Sequence, residues 1–188
     1  MWLLIIGLVL FLGIHSVRIF GDGFRSQQIE LRGEGAWKGI YSLISIAGFI
    51  AIVIGYGMAR ENADTLFSPP SWGRGFLLII MPIALVLIVA SQLPAGYLKA
   101  RFQHPMLWGV IMWAVGHLTA NGDTASVILF GGLAIWALLD LRSASARPTQ
   151  EKSKPLVWPD LVSVVVGLAI TWAFVSFAHE WMIGVPII

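Results

Sequence analysis

Apolar residues gather in six long stretches, at residues 2–17, 37–58, 76–98, 105–120, 124–139 and 161–178. Each approaches the roughly 20 residues that a helix needs to cross a bilayer core. The pattern predicts an all-α fold, a polytopic integral membrane protein built as a bundle of about six transmembrane helices in one domain over residues 1–188. The fourth and fifth stretches are separated only by Asn121-Gly122-Asp123, a tight-turn signal that makes them a helical hairpin, with Asp123 as the N-cap of the fifth helix. Both are short, so this turn is expected below the membrane surface, closed by its own side-chain hydrogen bonds. Residues 143–159, with Arg147, Glu151, Lys152 and Lys154, read as the only linker-like segment. Pro159 and Asp160 then start the last helix.

Composition agrees. Of 188 residues, 57% are hydrophobic and 12% charged, against about a quarter charged in a soluble domain. Too little polar side chain remains to cover a globular surface in water, and too few residues lie outside the spans to form a soluble catalytic domain. The start of the chain reads as a retained helix rather than a cleaved signal. The first cation is Arg18 and no small-residue cleavage pattern follows.

Charge sets the expected orientation. The loops after the first, third and fifth spans carry Arg18, Arg25, Arg32, Lys38, Lys99, Arg101, Arg142, Arg147, Lys152 and Lys154, whereas the other two carry Arg60 and Arg74. Ten against two is a positive-inside asymmetry that places both termini outside the cytoplasm. Trp2, Trp37, Trp72, Trp158 and Trp181 fall at the expected helix ends, as an interfacial aromatic belt requires. Gly48 and Gly55, and Gly109 and Gly116, are one heptad apart and are expected to mark close helix packing. No internal repeat emerges.

The chain has no cysteine, which removes disulfides, iron–sulfur clusters, thiolate-ligated haem and cysteine nucleophiles. A basic face with stacking aromatics is also missing, so no nucleic-acid partner is expected. Within the six stretches, apart from Lys38 at the very start of the second, there is no Asp, Glu, Lys or Arg. Pumps and proton-coupled transporters usually place such groups inside the bundle, so these classes are disfavoured.

The candidate chemistry therefore rests on four histidines, His15, His104, His117 and His179, because imidazole is the usual protein ligand for haem iron. His179, beside Glu180 and Trp181, reads as interfacial. His104 precedes Pro105 where water reaches the helix start. His15 and His117 lie in apolar surroundings, where ligation and interhelical hydrogen bonding both explain them. His104 and His117 are thirteen residues apart on one helix, about 20 Å along its axis and about 140° apart around it, so they cannot share an iron. His15 lies about 21 Å below Met1, and depth alone does not choose its partner. Burial favours His117, with Trp113 one turn before and Asn121 one turn after, and His104 is the alternative ligand. Propionates of a haem at this depth would point to the cytoplasmic side, toward Arg18, Arg25, Arg32 and Arg101, with Trp108 and Trp113 walling the macrocycle.

The segments Gly7…Leu10-Phe11-Leu12-Gly13-Ile14-His15-Ser16-Val17-Arg18, His104-Pro105…Leu107-Trp108, Trp113…His117-Leu118…Asn121-Gly122-Asp123 and Leu129-Phe130-Gly131-Gly132…Trp136 resemble the NnrU family over nearly the whole chain. That resemblance implies a bacterial inner-membrane protein linked with nitrite and nitric oxide reduction. It also implies kinship with the plant zeta-carotene isomerase, which uses b-type haem to turn a cis double bond trans. Carried over by motif, the plant haem ligands fall on His15 and His117. The plant branch also involves a cysteine near the second histidine. Ala114 occupies that region here, which excludes a cysteine-based ligand switch. Three functions follow as expectations: a haem-b membrane protein in redox or nitrogen-oxide chemistry with a membrane redox partner, an isomerase of an apolar polyene entering from lipid, and a non-catalytic assembly or structural subunit.

Overall fold

The computed structural model describes residues 1–147 and 154–184; of the segment read as a linker, Glu151 and Lys152 lie outside them. The described residues form helices α1 (Trp2–Phe20), α2 (Asp22–Arg32), α3 (Glu34–Arg60), α4 (Gly73–Gln92), α5 (Tyr97–Phe102), α6 (Pro105–Ala120), α7 (Thr124–Ser145), α8 (Trp158–Ala173) and α9 (His179–Ile183). A π-helical turn, Phe174–Ala178, joins α8 to α9. Five helical stretches are long and apolar enough to cross a membrane, and α6 is a shorter apolar helix. At most 33% of any of the five spanning windows is buried inside the protein. The outer faces therefore remain apolar and exposed, which is stable only with lipid as the surrounding solvent.

The helices extend past most of the sequence-read limits. Helix α6 keeps the expected bounds because Pro105 at its start and Asn121 after its end punctuate it. The third stretch instead breaks, since α4 stops at Gln92 before Pro94 and a separate α5 follows. Helix α7 continues to Ser145 and so carries Asp140 and Arg142. Helix α2 occupies a segment read as loop. Its charged and polar residues hide a helix that keeps Phe24 and Leu31 exposed, seven residues apart and so on one face.

Helix α1 packs most extensively on α3, α6 on both α4 and α7, and α8 on α4, while α7 also touches α1 and α3. The heptad-spaced glycines, with Gly7 on α1, make close helix–helix approaches. A Cβ at Gly48 would sit 2.7 Å from the Phe11 backbone nitrogen, one at Gly7 2.6 Å from that of Ile52, and one at Gly55 would collide with Leu4. The α1–α3 seam is thus backbone against backbone, and Gly109 does the same for α6 on α4, where a Cβ would lie 2.8 Å from the Ala84 carbonyl oxygen. Gly13 faces open space. We expect Gly48→Leu to destabilise the protein by about 2–4 kcal/mol, since backbone cannot yield as a side chain can. Gly13→Leu should leave the melting temperature in detergent within error. Equal melting of the two variants would contradict the seam.

The Asn121-Gly122-Asp123 turn is closed from two sides. Asp123 caps α7 by accepting from the Ser126 backbone nitrogen at 2.9 Å, as the sequence predicts, and Asn121 Nδ2 donates to the His117 carbonyl at 2.9 Å. Residues 61–72 also fold over it. The Leu66 and Phe67 nitrogens donate to the Gly122 carbonyl at 2.8 and 3.1 Å, and Thr124 donates to the Asp64 carbonyl. Beneath the turn, Ser126 Oγ donates to Asp123 Oδ2 at 2.6 Å. The Tyr56 hydroxyl, 2.9 Å from that Oγ, must then donate to it, because a serine has one proton to give. This buried chain ties α3 to α7. It sits in the core cluster that Leu4, Leu8, Ile52, Ala114, Leu129 and Phe130 share with Tyr56.

Candidate functional site

Helix directions follow from neighbours. The short turn makes α7 antiparallel to α6. Helix α1 runs parallel to α7, since Leu12 lies beside Gly132 and His15 beside Trp136. Helices α1 and α6 are therefore antiparallel, with α7 common to both. Helical side chains lean toward their own N-terminus. His15 on α1 and His117 on α6 consequently lean toward each other along the bundle axis.

Each imidazole sits in an aromatic box. His117 stacks on Phe130 with ring centroids 4.5 Å apart and planes at 23°, and Trp113 lies at 4.8 Å. Phe130 also meets Trp113 at 4.9 Å and Tyr56 at 5.8 Å. The His15 ring lies 4.2 Å from that of Phe11, 5.1 Å from Tyr41 and 5.8 Å from Trp136. The two boxes stand at different levels, because Phe130 and Trp136 are six residues apart, about 9 Å along α7.

The hydrogen bonds fix the tautomers. His15 Nδ1 lies 2.6 Å from the Phe11 carbonyl oxygen and His117 Nδ1 2.8 Å from that of Trp113. A carbonyl only accepts, so both Nδ1 atoms are protonated and donate, leaving Nε2 of each neutral ring with a lone pair. Metal-ligating histidines are held in this way, with the other ring nitrogen donating to a carbonyl or carboxylate. Beside His15, the buried Trp136 Nε1 has no hydrogen-bond partner among the described residues, a donor that wants an acceptor. In donor chemistry both histidines thus fit residues that would hold a haem iron. Holding one iron between them would require the two levels to close.

The other expected site residues fall as follows. Trp113 walls the His117 box, and Asn121 is committed to the His117 carbonyl rather than to its ring. Arg18 is exposed one turn beyond His15. His104 is the N-cap of α6; its carbonyl accepts from the Leu107 and Trp108 nitrogens, and it stands at the opposite end of α6 from His117. His179 opens α9 directly after the π-helical turn. Among the described residues no three His, Asp or Glu side chains gather as a metal site.

Sequence reading missed Tyr41, Phe130 and Asp140 as neighbours of the histidines. Asp140 acts electrostatically on both His15 and Tyr41, pairs with Arg147 at 3.6 Å, and has a side chain only 22% exposed. It lies one turn beyond Trp136, and the absence of any breaker before Ser145 was the available signal. Tyr41 and Phe130 come from other helices, and no spacing along the chain reveals such a contact.

The fold and this site define a polytopic helical membrane protein with two anchored, aromatic-boxed histidines in its bundle. The chain matches the family model described as NnrU protein over residues 3–187. It belongs to that family. No curated protein and no solved structure matches it.

Proposed function

We propose that this chain is a haem-b-binding membrane protein, with His15 and His117 as its axial ligands, serving redox or nitrogen-oxide chemistry in the bacterial inner membrane. The observation that carries the reading is the anchoring of both imidazoles through Nδ1, with their Nε2 lone pairs on side chains that lean toward each other. When bound, haem iron supplies one-electron chemistry and a position for a small ligand. The chain's own contribution is orientation and exclusion of water. The Phe11 and Trp113 carbonyls hold the rings, while Phe130, Tyr41 and Trp136 surround them with aromatic surface. Trp136 Nε1 offers a hydrogen bond to an acceptor atom beside His15, and Arg18 supplies a cation for a propionate. A membrane electron-transfer partner is the natural counterpart. The isomerase reading draws no support from the chain, which lacks the cysteine of the plant branch.

The test is the absorption spectrum of the protein purified in detergent. A Soret band with b-type reduced bands supports the proposal, and its absence leaves an assembly or structural role. Within this reading, Arg18→Ala should weaken haem retention more than Arg74→Ala, because Arg74 begins α4 at the opposite end of the bundle. Equal haem occupancy in the two variants would count against propionates on the Arg18 side.

The ten-to-two cation asymmetry supports both termini outside the cytoplasm. Reporter fusions after Lys154 and at Ile188, the latter outside the described residues, should report cytoplasm and periplasm respectively. A cytoplasmic signal at Ile188 would sink the six-span topology.

A further inference from the structure

At the end of the bundle far from residues 61–72, α5 and α6 meet in a tight turn. Gln103 there has φ 56°, a region that a residue with a side chain rarely adopts. Such backbone outliers persist where the surroundings enforce them, and they gather at ligand clamps. This turn folds Arg101 and Phe102 back along α6, where with Trp108 and Met112 they line an open cleft of about 270 Å³. Trp108 and Met112 are one helical turn apart and share a face of α6. The charges nearby are not equivalent. Lys99 is committed to the end of α4, donating to the Ser91 and Leu93 carbonyls at 2.9 and 2.8 Å. Arg101 is exposed, and among the described residues no carboxylate pairs with it.

We propose that this cleft binds the headgroup end of an anionic phospholipid, the phosphodiester on Arg101 and the first chain segments against Trp108 and Met112. The cleft falls just under the about 300–1,000 Å³ of sites that enclose a whole small molecule, so it suits one end of an elongated one. A guanidinium fork matches phosphate oxygens. Tryptophan belongs at the depth where headgroup gives way to chain, and a methionine thioether forms an adaptable wall. The site lies at the start of a membrane helix, where a lipid of the adjoining leaflet presents that combination of charge and chain. The inference shares no residue with the two imidazole boxes, and it gives Arg101 and Trp108, read from the sequence as neighbours of a haem, to the lipid instead.

Native mass spectrometry of the full chain in detergent tests it, with dioleoyl phosphatidylglycerol and dioleoyl phosphatidylcholine as probes and inorganic phosphate as competitor. The phosphatidylglycerol adduct should survive at concentrations where the phosphatidylcholine adduct is lost. Arg101→Gln should lower phosphatidylglycerol occupancy about fivefold, the effect of removing one cation at a lipid surface, and Arg101→Lys should restore part of it. Trp108→Leu should weaken both lipids, and Arg32→Gln, an exposed cation on α2, should change little. Equal losses from Arg101→Gln and Arg32→Gln, or equal retention of the two lipids, would overturn the proposal. Displacement by millimolar inorganic phosphate would also overturn it, pointing to a free-anion site instead of a lipid.

Discussion

His117→Ala is expected to abolish or strongly shift the haem absorption of the purified protein, and His15→Ala to do the same. His104→Ala should leave the spectrum largely intact. Under the proposal, loss of either imidazole would change the coordination of the iron, and both rings are held with Nε2 unprotonated by carbonyls one turn back. His104 instead marks the N-terminus of α6, about 20 Å of helix from His117. Imidazole added to the two alanine variants should restore part of the spectrum by occupying the vacated position, which a merely misfolded variant would not do. If His104→Ala removes haem and His117→Ala does not, the ligand assignment is wrong and the site lies nearer the α5–α6 turn.

Phe130→Ala should produce the largest combined loss of stability and site integrity among substitutions of residues that are not ligands. Phe130 is 3% exposed and fills the space between the His117 ring, Trp113 and Tyr56. Removing a buried aromatic costs about 3–5 kcal/mol through lost burial and the cavity left behind. It would also free the His117 ring on its stacked face. Phe130→Leu keeps most of the volume and should cost much less stability, yet it still removes the stacking. Bound haem should then show an altered Soret position while thermal unfolding in detergent changes little. If Phe130→Leu leaves the spectrum identical to wild type, the stacked ring has no part in positioning His117.

The bundle was legible because lipid imposes long apolar runs, and the Asp123 cap and the Gly48/Gly55 seam followed from rules local to the chain. Pro105 and Asn121 marked α6 to the residue. Where a rule met a charge it failed: Asp140 looked like the end of a span, but α7 runs on to Ser145 and buries most of that carboxylate. Helix α2 was lost for the same reason, its polar residues reading as a loop. The pairing of Trp113 with His117 was readable from one-turn spacing. The stacking of Phe130 on His117 and the approach of Tyr41 and Trp136 to His15 were not, since they depend on which face of α7 meets α1 and which meets α6. Asn121 shows the limit of spacing itself. One turn from His117, it reaches that residue's carbonyl and closes the helix end rather than touching the ring.

The pairing of His15 and His117 on one iron is tested most directly by electron paramagnetic resonance of the oxidised, purified wild-type protein. The two boxes stand about 9 Å apart along α7, so the result reports whether haem draws their levels together. The account predicts the low-spin signal of an iron held by two imidazoles. A high-spin signal would mean that a single histidine holds the haem, and the absence of any haem signal from protein supplied with haem would contradict the account altogether.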